Sequence, residues 1–400
     1  MRDTLNDIGL PVFAIAAALL VFGLLMGLTG VSPVEVWLLL FKGAFGDWFS
    51  WQNTLQRAAP LMLTALCVAI PARAGLVIIG GEGALVLGGL ACAALPYALP
   101  LPDNAAGTAL VCAAGAAAGA LWIGLAGWLR QYRGINETIS SLLLAYIALG
   151  LFKHLVEGPL RDPASLNKPS TYALPEGMGI GGIGGSDVHW GLALGVLACV
   201  GLGLWLRWTA SGFSVRVVGG NPRTAQLVGL PASRLVLLAC ALGGACAGLA
   251  GAVEVAAVHT SANVSLIAGY GYAGILVSFI ARHNPLAIIP VAIVFGGFGA
   301  AGSLLQRRLG LPDASVQVLQ GIAFVLILAS EALRGVDWKA LPAKLSRPPA
   351  PNPASAPAPE LAVAMQEAAA PVAPGRSPPT SGAPGVGAIV QPAINKGALS

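Results

Sequence analysis

The sequence predicts an all-α, polytopic integral membrane protein, a helical bundle of about ten transmembrane segments, on three observations. Of its 400 residues 56% are hydrophobic and only 10% charged, where a soluble protein carries about 25% charged residues. Apolar runs of the length that crosses a bilayer, roughly 20 residues, recur along most of the chain. Lys and Arg are distributed unequally between alternate loops, as the positive-inside bias requires.

The first run, at 8–30, follows Arg2. It is too long for a signal-peptide core and lacks a small-x-small cleavage site, so it is expected to stay attached. SPVEVWLLLFKGAFGDWFSW (32–51) opens with a capping-box spacing, Ser32 and Glu35, with Pro33 at the first helical position. Its Trp37, Trp48 and Trp51 suit a membrane interface, which predicts a short helix on the outer bilayer surface. Further spans are read at 56–79, 83–101, 105–129, 138–156, 188–208, 235–258, 268–281, 285–304 and 315–333. With the N-terminus cytoplasmic, thirteen Lys and Arg, including Arg73, Arg130, Arg133, Arg207, Arg216, Arg223, Arg234 and Arg282, fall inside. Seven fall outside, Arg57, Arg307 and Arg308 among them. The bias places both termini in the cytoplasm, but the Arg307/Arg308 pair runs against it and leaves 268–281 open to being re-entrant. The transmembrane domain is assigned to 1–340. From Leu341 to Ser400 the chain turns rich in Pro, Ala, Ser and Gly, which predicts a disordered cytoplasmic tail.

Several functions are excluded on composition and spacing. The formal charge of +5 follows from the loop bias, so no nucleic-acid partner is expected. All six cysteines lie within apolar runs with no CxxC pair, as small buried hydrophobes do. The four histidines have no metal spacing, and neither a phosphate-binding loop nor HExxH occurs. No clustered nucleophile and base, catalytic residue, metal site or cofactor is expected; transport remains.

The ionisable residues within apolar runs are then the candidates. In GLVIIGGEGALVLGG (75–89), Glu82 follows Gly80 and Gly81 and precedes Gly83. A carboxylate at the start of a helix gains about 0.3–1 kcal/mol from the helix dipole, and the glycines break the helix and admit close backbones. Arg73 is the nearest counter-charge, so an Arg73–Glu82 pair at a helix junction is favoured over solute contact. Asn136 is read as the cap of the fifth span, with Glu137 in its first turn. Glu254 is read as a solvated end of the seventh span, with a pathway role as the alternative. Gly115 with Gly119, and Gly244 with Gly248, have the spacing of close helix packing.

The loop SGFSVRVVGGNPRTAQLVGLPASR (211–234) specifies one short helix. Asn221 caps it, Pro222 fits its first position, Gly229 fits the left-handed stop, and Pro231 forbids continuation. Ala225, Leu227 and Val228 give that helix an apolar surface. Packing on its own spans and docking into another protein are equally open readings from these residues alone.

GLVIIGGEG, INETISSLLLAYIA, GGNPRTAQLVGL and GYGYAGILVSFIARHNPLA occur in the order found in one group of proteins. From about residue 50 to 335 the chain resembles the permease subunits of bacterial nucleoside and simple-sugar ABC importers, within the wider ribose and branched-chain amino-acid permease family. NPRTAQLVG resembles the coupling-helix region of such permeases, Thr224-Ala225 and Gly229 matching its looser pattern. The resemblance implies an inner-membrane subunit, in contact with membrane lipid, that pairs with a second permease chain, a cytoplasmic ATPase and an extracytoplasmic substrate-binding protein. It implies coupling to the ATPase through Gly219, Asn221, Arg223, Ala225, Leu227 and Gly229. It also makes Tyr146 a pathway candidate beside Arg73, Gly80, Glu82, Gly83, Asn136, Glu137 and Glu254. The chain departs from the family where Ile78 and Ala84 replace two amides around Glu82, and where Ala145 replaces an Asn before Tyr146. If these positions line the pathway, a less polar solute is expected. An ion-coupled secondary transporter using Glu82 and Glu137, and a scaffold recruiting through its tail, are the alternatives.

Overall fold

Asparagine and proline set many of the helix starts. In the computed structural model, which describes residues 2–165, 168–312 and 314–332, Asn104, Asn136, Asn221 and Asn284 each cap a helix by accepting backbone N–H bonds. Pro33, Pro222 and Pro285 stand at the start of theirs, where no N–H is needed. Ser32 does not cap: its side chain makes no such bond, and the expected capping box is not formed. Trp37 is likewise turned inward, donating to the Leu19 carbonyl at 3.0 Å and covering Gly23.

The described residues form α1 (Arg2–Leu28), α2 (Pro33–Phe41), α3 (Trp48–Arg73), α4 (Gly81–Ala98), α5 (Ala105–Arg133), α6 (Glu137–Glu157) and α7 (Gly191–Trp208). These are followed by α8 (Ala210–Gly220), α9 (Pro222–Leu227), α10 (Ala232–Glu254), α11 (Tyr270–Ile280), α12 (Pro285–Leu309) and α13 (Ala314–Ala332). Seven segments are long and apolar enough to cross a membrane: α3, α4, α5, α6, α7, α10 with its π-helical extension to His259, and α12. Shorter apolar stretches lie in α1, α13 and the segment Val264–Ile280. With 11 residues, α11 rises only about 16 Å, half the hydrocarbon thickness of about 30 Å. The tail from Leu341, and the boundary expected at 340, lie outside the described residues.

The bundle is built from two runs of four helices, α3–α6 and α10–α13, that pack reciprocally. α3 lies on α12 while α10 lies on α5, and α3 lies on α11 while α10 lies on α4. Glycine permits the closest crossing, as the spacing predicted: a Cβ on Gly119 would stand 2.7 Å from the Gly248 Cα, and one on Gly115 would stand 2.8 Å from the Gly88 carbonyl oxygen.

Candidate functional site

Two helices begin against each other inside the bundle. Glu82, the second residue of α4, is fully buried, and its carboxylate accepts from the backbone N–H groups of Gly269 at 2.9 Å and Gly271 at 2.6 Å. Those donors are at the start of α11, whose first N–H groups have no partner within the helix. The approach needs glycine on the α11 side: Gly269 has φ +80°, and a Cβ on Gly271 would come 2.5 Å from the Glu82 Cα.

Arg73 does not pair with Glu82. Its Nε donates to the His283 carbonyl at 2.8 Å and its Nη2 to the Arg282 carbonyl at 3.2 Å. Both carbonyls lie just past the end of α11, where the chain turns through left-handed φ of 51° at Arg282 and 53° at His283. The pairing expected between the two charges is absent because each has backbone partners about α11: the free N–H groups at its start for Glu82, and the carbonyls of the left-handed turn after it for Arg73.

Glu82 lines a cavity of about 590 Å3 shared with Ile79, Gly269, Tyr272, Gln317 and Gln320. A second chamber of about 280 Å3 also contacts Gly269, Gln317 and Gln320, and is walled by Arg57, Tyr270, Ser303 and the α12 glycines Gly296, Gly299 and Gly302. Two amides and a guanidinium thus face space between segments where the backbone is interrupted, with the buried Glu82 carboxylate set behind the wall. In a membrane, irregular backbone persists where it lines a cavity or is buried in protein.

Of the other expected residues, only the neighbours of Glu82 approach this site. A Cβ on Gly80 would meet the Ser141 carbonyl at 2.7 Å and one on Gly83 the Ala145 Cα at 2.7 Å, so these glycines seat α4 on α6. Asn136 caps α6 by accepting from Thr138 at 2.9 Å and Ile139 at 3.2 Å. Glu137 is held by Arg130 Nε at 3.2 Å. Tyr146 stands 59% exposed on α6 and lines neither chamber. Glu254 is not a solvated end: it is buried beside His259 at 3.7 Å, because the loop before α7 covers this end of α10 through Ile180 N–H to the Ala256 carbonyl.

The loop helix forms as specified. Asn221 accepts from Arg223 at 3.0 Å and Thr224 at 3.2 Å, and Gly229 stops the helix at φ +80°. Ala225 is buried against the protein, whereas Leu227 is 87% and Val228 66% exposed. Arg223 is exposed beside them. Gly219 closes the same region onto α3: a Cβ there would stand 3.1 Å from the Ala74 carbonyl carbon.

Residues 50–328 match the family described as "branched-chain amino acid transport system / permease component". The chain belongs to this permease family. It is 32% identical over 333 residues to the glucose ABC transporter permease protein TsgB13 of Haloferax volcanii, covering 81% of this chain and 87% of that protein. The guanosine ABC transporter permease protein NupP of Bacillus subtilis is 27% identical over 85% of this chain and 98% of its own length. The nucleoside ABC transporter permease protein NupB of Lactococcus lactis is 27% identical over 80% and 90% respectively. The protein is thus a multi-pass permease subunit of an ABC importer, a system that supplies ATP hydrolysis and substrate binding from other components.

Ile78, Ala84 and Ala145 are all fully buried and line neither chamber. Gln317 and Gln320, by contrast, escaped the sequence reading. Two amides three residues apart in the last apolar run were the available signal, since that spacing puts both on one helix face.

Proposed function

We propose that the permease carries nucleosides or related small polar solutes, simple sugars included, through the Glu82 cavity. The observation that carries this reading is the pair Gln317 and Gln320, which line both chambers and offer donors and acceptors to a hydroxylated or heterocyclic solute. The names of the relatives, with glucose, guanosine and nucleoside among them, agree with such a solute. The membrane is the bacterial inner membrane, with both termini cytoplasmic and an extracytoplasmic binding protein delivering the solute. The cytoplasmic ATPase docks on α9, where Leu227 and Val228 await a cover, and its movement passes from α8 to α3 through Gly219. A second permease chain completes the path. Two guanosine permease proteins of Bacillus subtilis, NupP and NupQ, both resemble this chain, which supports a pair of unlike subunits.

The test is ATP-driven uptake in proteoliposomes holding the complete transporter. Gln317→Leu with Gln320→Leu should abolish nucleoside uptake while leaving the complex assembled and its ATP hydrolysis measurable. Full uptake by the double variant would remove the cavity from the pathway.

A further inference from the structure

We propose that Arg57 reads the planar edge of the solute, so that the permease prefers an oxopurine nucleoside to its aminopurine counterpart. The inference rests on the proposed solute path and adds the group that selects along it.

Arg57 lies in α3, and its side chain lines the smaller chamber. It runs across α12 at Gly299, where a Cβ would meet Arg57 Cδ at 3.4 Å and Nη1 at 3.9 Å. It stands beside the Tyr270 hydroxyl and within the field of Glu254. No ion pair joins it to a carboxylate among the described residues. Arg57 is itself exposed, near the start of the apolar run read at 56–79, so its guanidinium is open to a solute in the chamber.

Glycines bring α12 against α3 along the chamber: a Cβ on Gly296 would stand 2.7 Å from the Thr54 carbonyl oxygen, and Gly299 leaves room for the Arg57 side chain, with Phe295 beside them. At about 280 Å3 the chamber holds a fused heterocycle, and the adjoining 590 Å3, with Glu82 and both glutamines, is left for the hydroxylated remainder.

The guanidinium is a rigid fork of donors with no acceptor, matched to two adjacent acceptors in one plane. An oxopurine edge offers that pair, O6 and N7. An aminopurine edge puts an N6 donor in place of the O6 acceptor and turns one arm of the fork against a donor. Glutamine reverses the match, since its amide both accepts from N6 and donates to N7.

Inosine and adenosine share their ribose and N7 and differ at position 6, a carbonyl against an amino group, and in the N1 proton that accompanies it. In proteoliposomes holding the complete transporter, kcat/KM for labelled inosine should exceed that for adenosine about tenfold or more, the discrimination expected of one bidentate pair. Arg57→Lys should lose most of the preference, because an ammonium is a point donor. Arg57→Gln should invert it toward adenosine, a gain that a merely structural arginine would not yield. ATP hydrolysis, measured alongside, reports assembly of each variant. Equal uptake of the two nucleosides by the parent protein, or an equal loss of both in Arg57→Gln, overturns the assignment of Arg57 alone. Transport of neither nucleoside by the parent protein overturns the nucleoside reading beneath it.

Discussion

Arg73 and Glu82 hold opposite ends of one helix without touching each other. The carboxylate takes the N–H groups at the start of α11 and the guanidinium takes the carbonyls beyond its end. Each charge has the sign that the helix dipole favours at that end. A helix of 11 residues cannot cross a bilayer, and each bare backbone group in a lipid environment costs several kcal/mol. Glu82 on α4 thus supplies acceptors to the open start of the half-length helix, while its last carbonyls are taken by the N–H groups of Ala281, Arg282 and His283, in the turn that Arg73 on α3 holds in place.

Glu82→Ala would strand the buried Gly271 N–H, at about 1–3 kcal/mol, and the half-buried Gly269 N–H at less. It should lower the melting temperature in detergent, and Glu82→Gln, which keeps one acceptor, should lower it less. Since Arg73→Ala loosens the same helix, the double variant should lose less than the sum, with a coupling of about 0.5–3 kcal/mol. Strict additivity in the thermal melts would mean that the two ends of α11 are held independently.

What the sequence made legible follows from the range of the interactions involved. The caps Asn136 and Asn221, the stop at Gly229 and the Gly115/Gly119 and Gly244/Gly248 contacts rest on neighbours within a few residues or on small-residue spacing, and all are present. Arg73 and Glu82 stand out in the sequence but do not pair, because their partners lie far along the chain, at Arg282 and His283 and at Gly269 and Gly271. Backbone partners carry no side-chain signature. The exposure assigned to Glu254 failed for the same reason, since the segment covering it is joined to α10 only in three dimensions.

The α5–α10 crossing should be intolerant of volume. Gly119→Val places its branches where the Gly248 backbone already sits, whereas a Cβ on Gly124, in the same helix, would meet nothing within 4 Å. Gly119→Val should abolish the monodisperse peak in detergent size-exclusion chromatography, and Gly124→Ala should leave it unchanged. A normal peak for Gly119→Val would show that α5 can move away from α10 at little cost.

Acid should weaken the junction at the end of α11. Burial, and then the charge of Arg73, press the His283 imidazole down from 6.5 to about 4. Its Nδ1 is engaged with Ser278 Oγ at 2.9 Å, and Phe279 packs on its ring. The folded protein keeps the ring neutral while the unfolded chain takes up a proton below about 6.5. Stability from this group is therefore present above that pH and falls away as pH drops toward 4. His283→Asn keeps a polar side chain for Ser278 and tolerates the left-handed backbone. The loss of melting temperature between pH 7 and pH 5 should be smaller in this variant than in the parent; equal losses would place the acid sensitivity elsewhere.

The short helix α9 should bear the contact with the ATPase. A coupling element must pass on its partner's movement without absorbing it, and it must offer apolar surface for the partner to bury. α9 is fixed at its start by Asn221, at its end by Gly229, and beneath by buried Ala225, which leaves Leu227 outward and 87% exposed. Leu227→Asp thus removes nothing that the permease itself packs, and the variant should insert and melt as the parent does. With the ATPase present the added charge must be buried or the contact given up, so co-purification should fail, or ATP hydrolysis should continue without uptake. Gly229→Val acts differently, forcing a β-branched residue to φ +80°, at roughly 1 kcal/mol or more. It should loosen α9 and lower uptake with the ATPase still attached. Normal transport by Leu227→Asp with its ATPase bound would exclude α9 as the docking site and leave Leu227 and Val228 without a role in coupling.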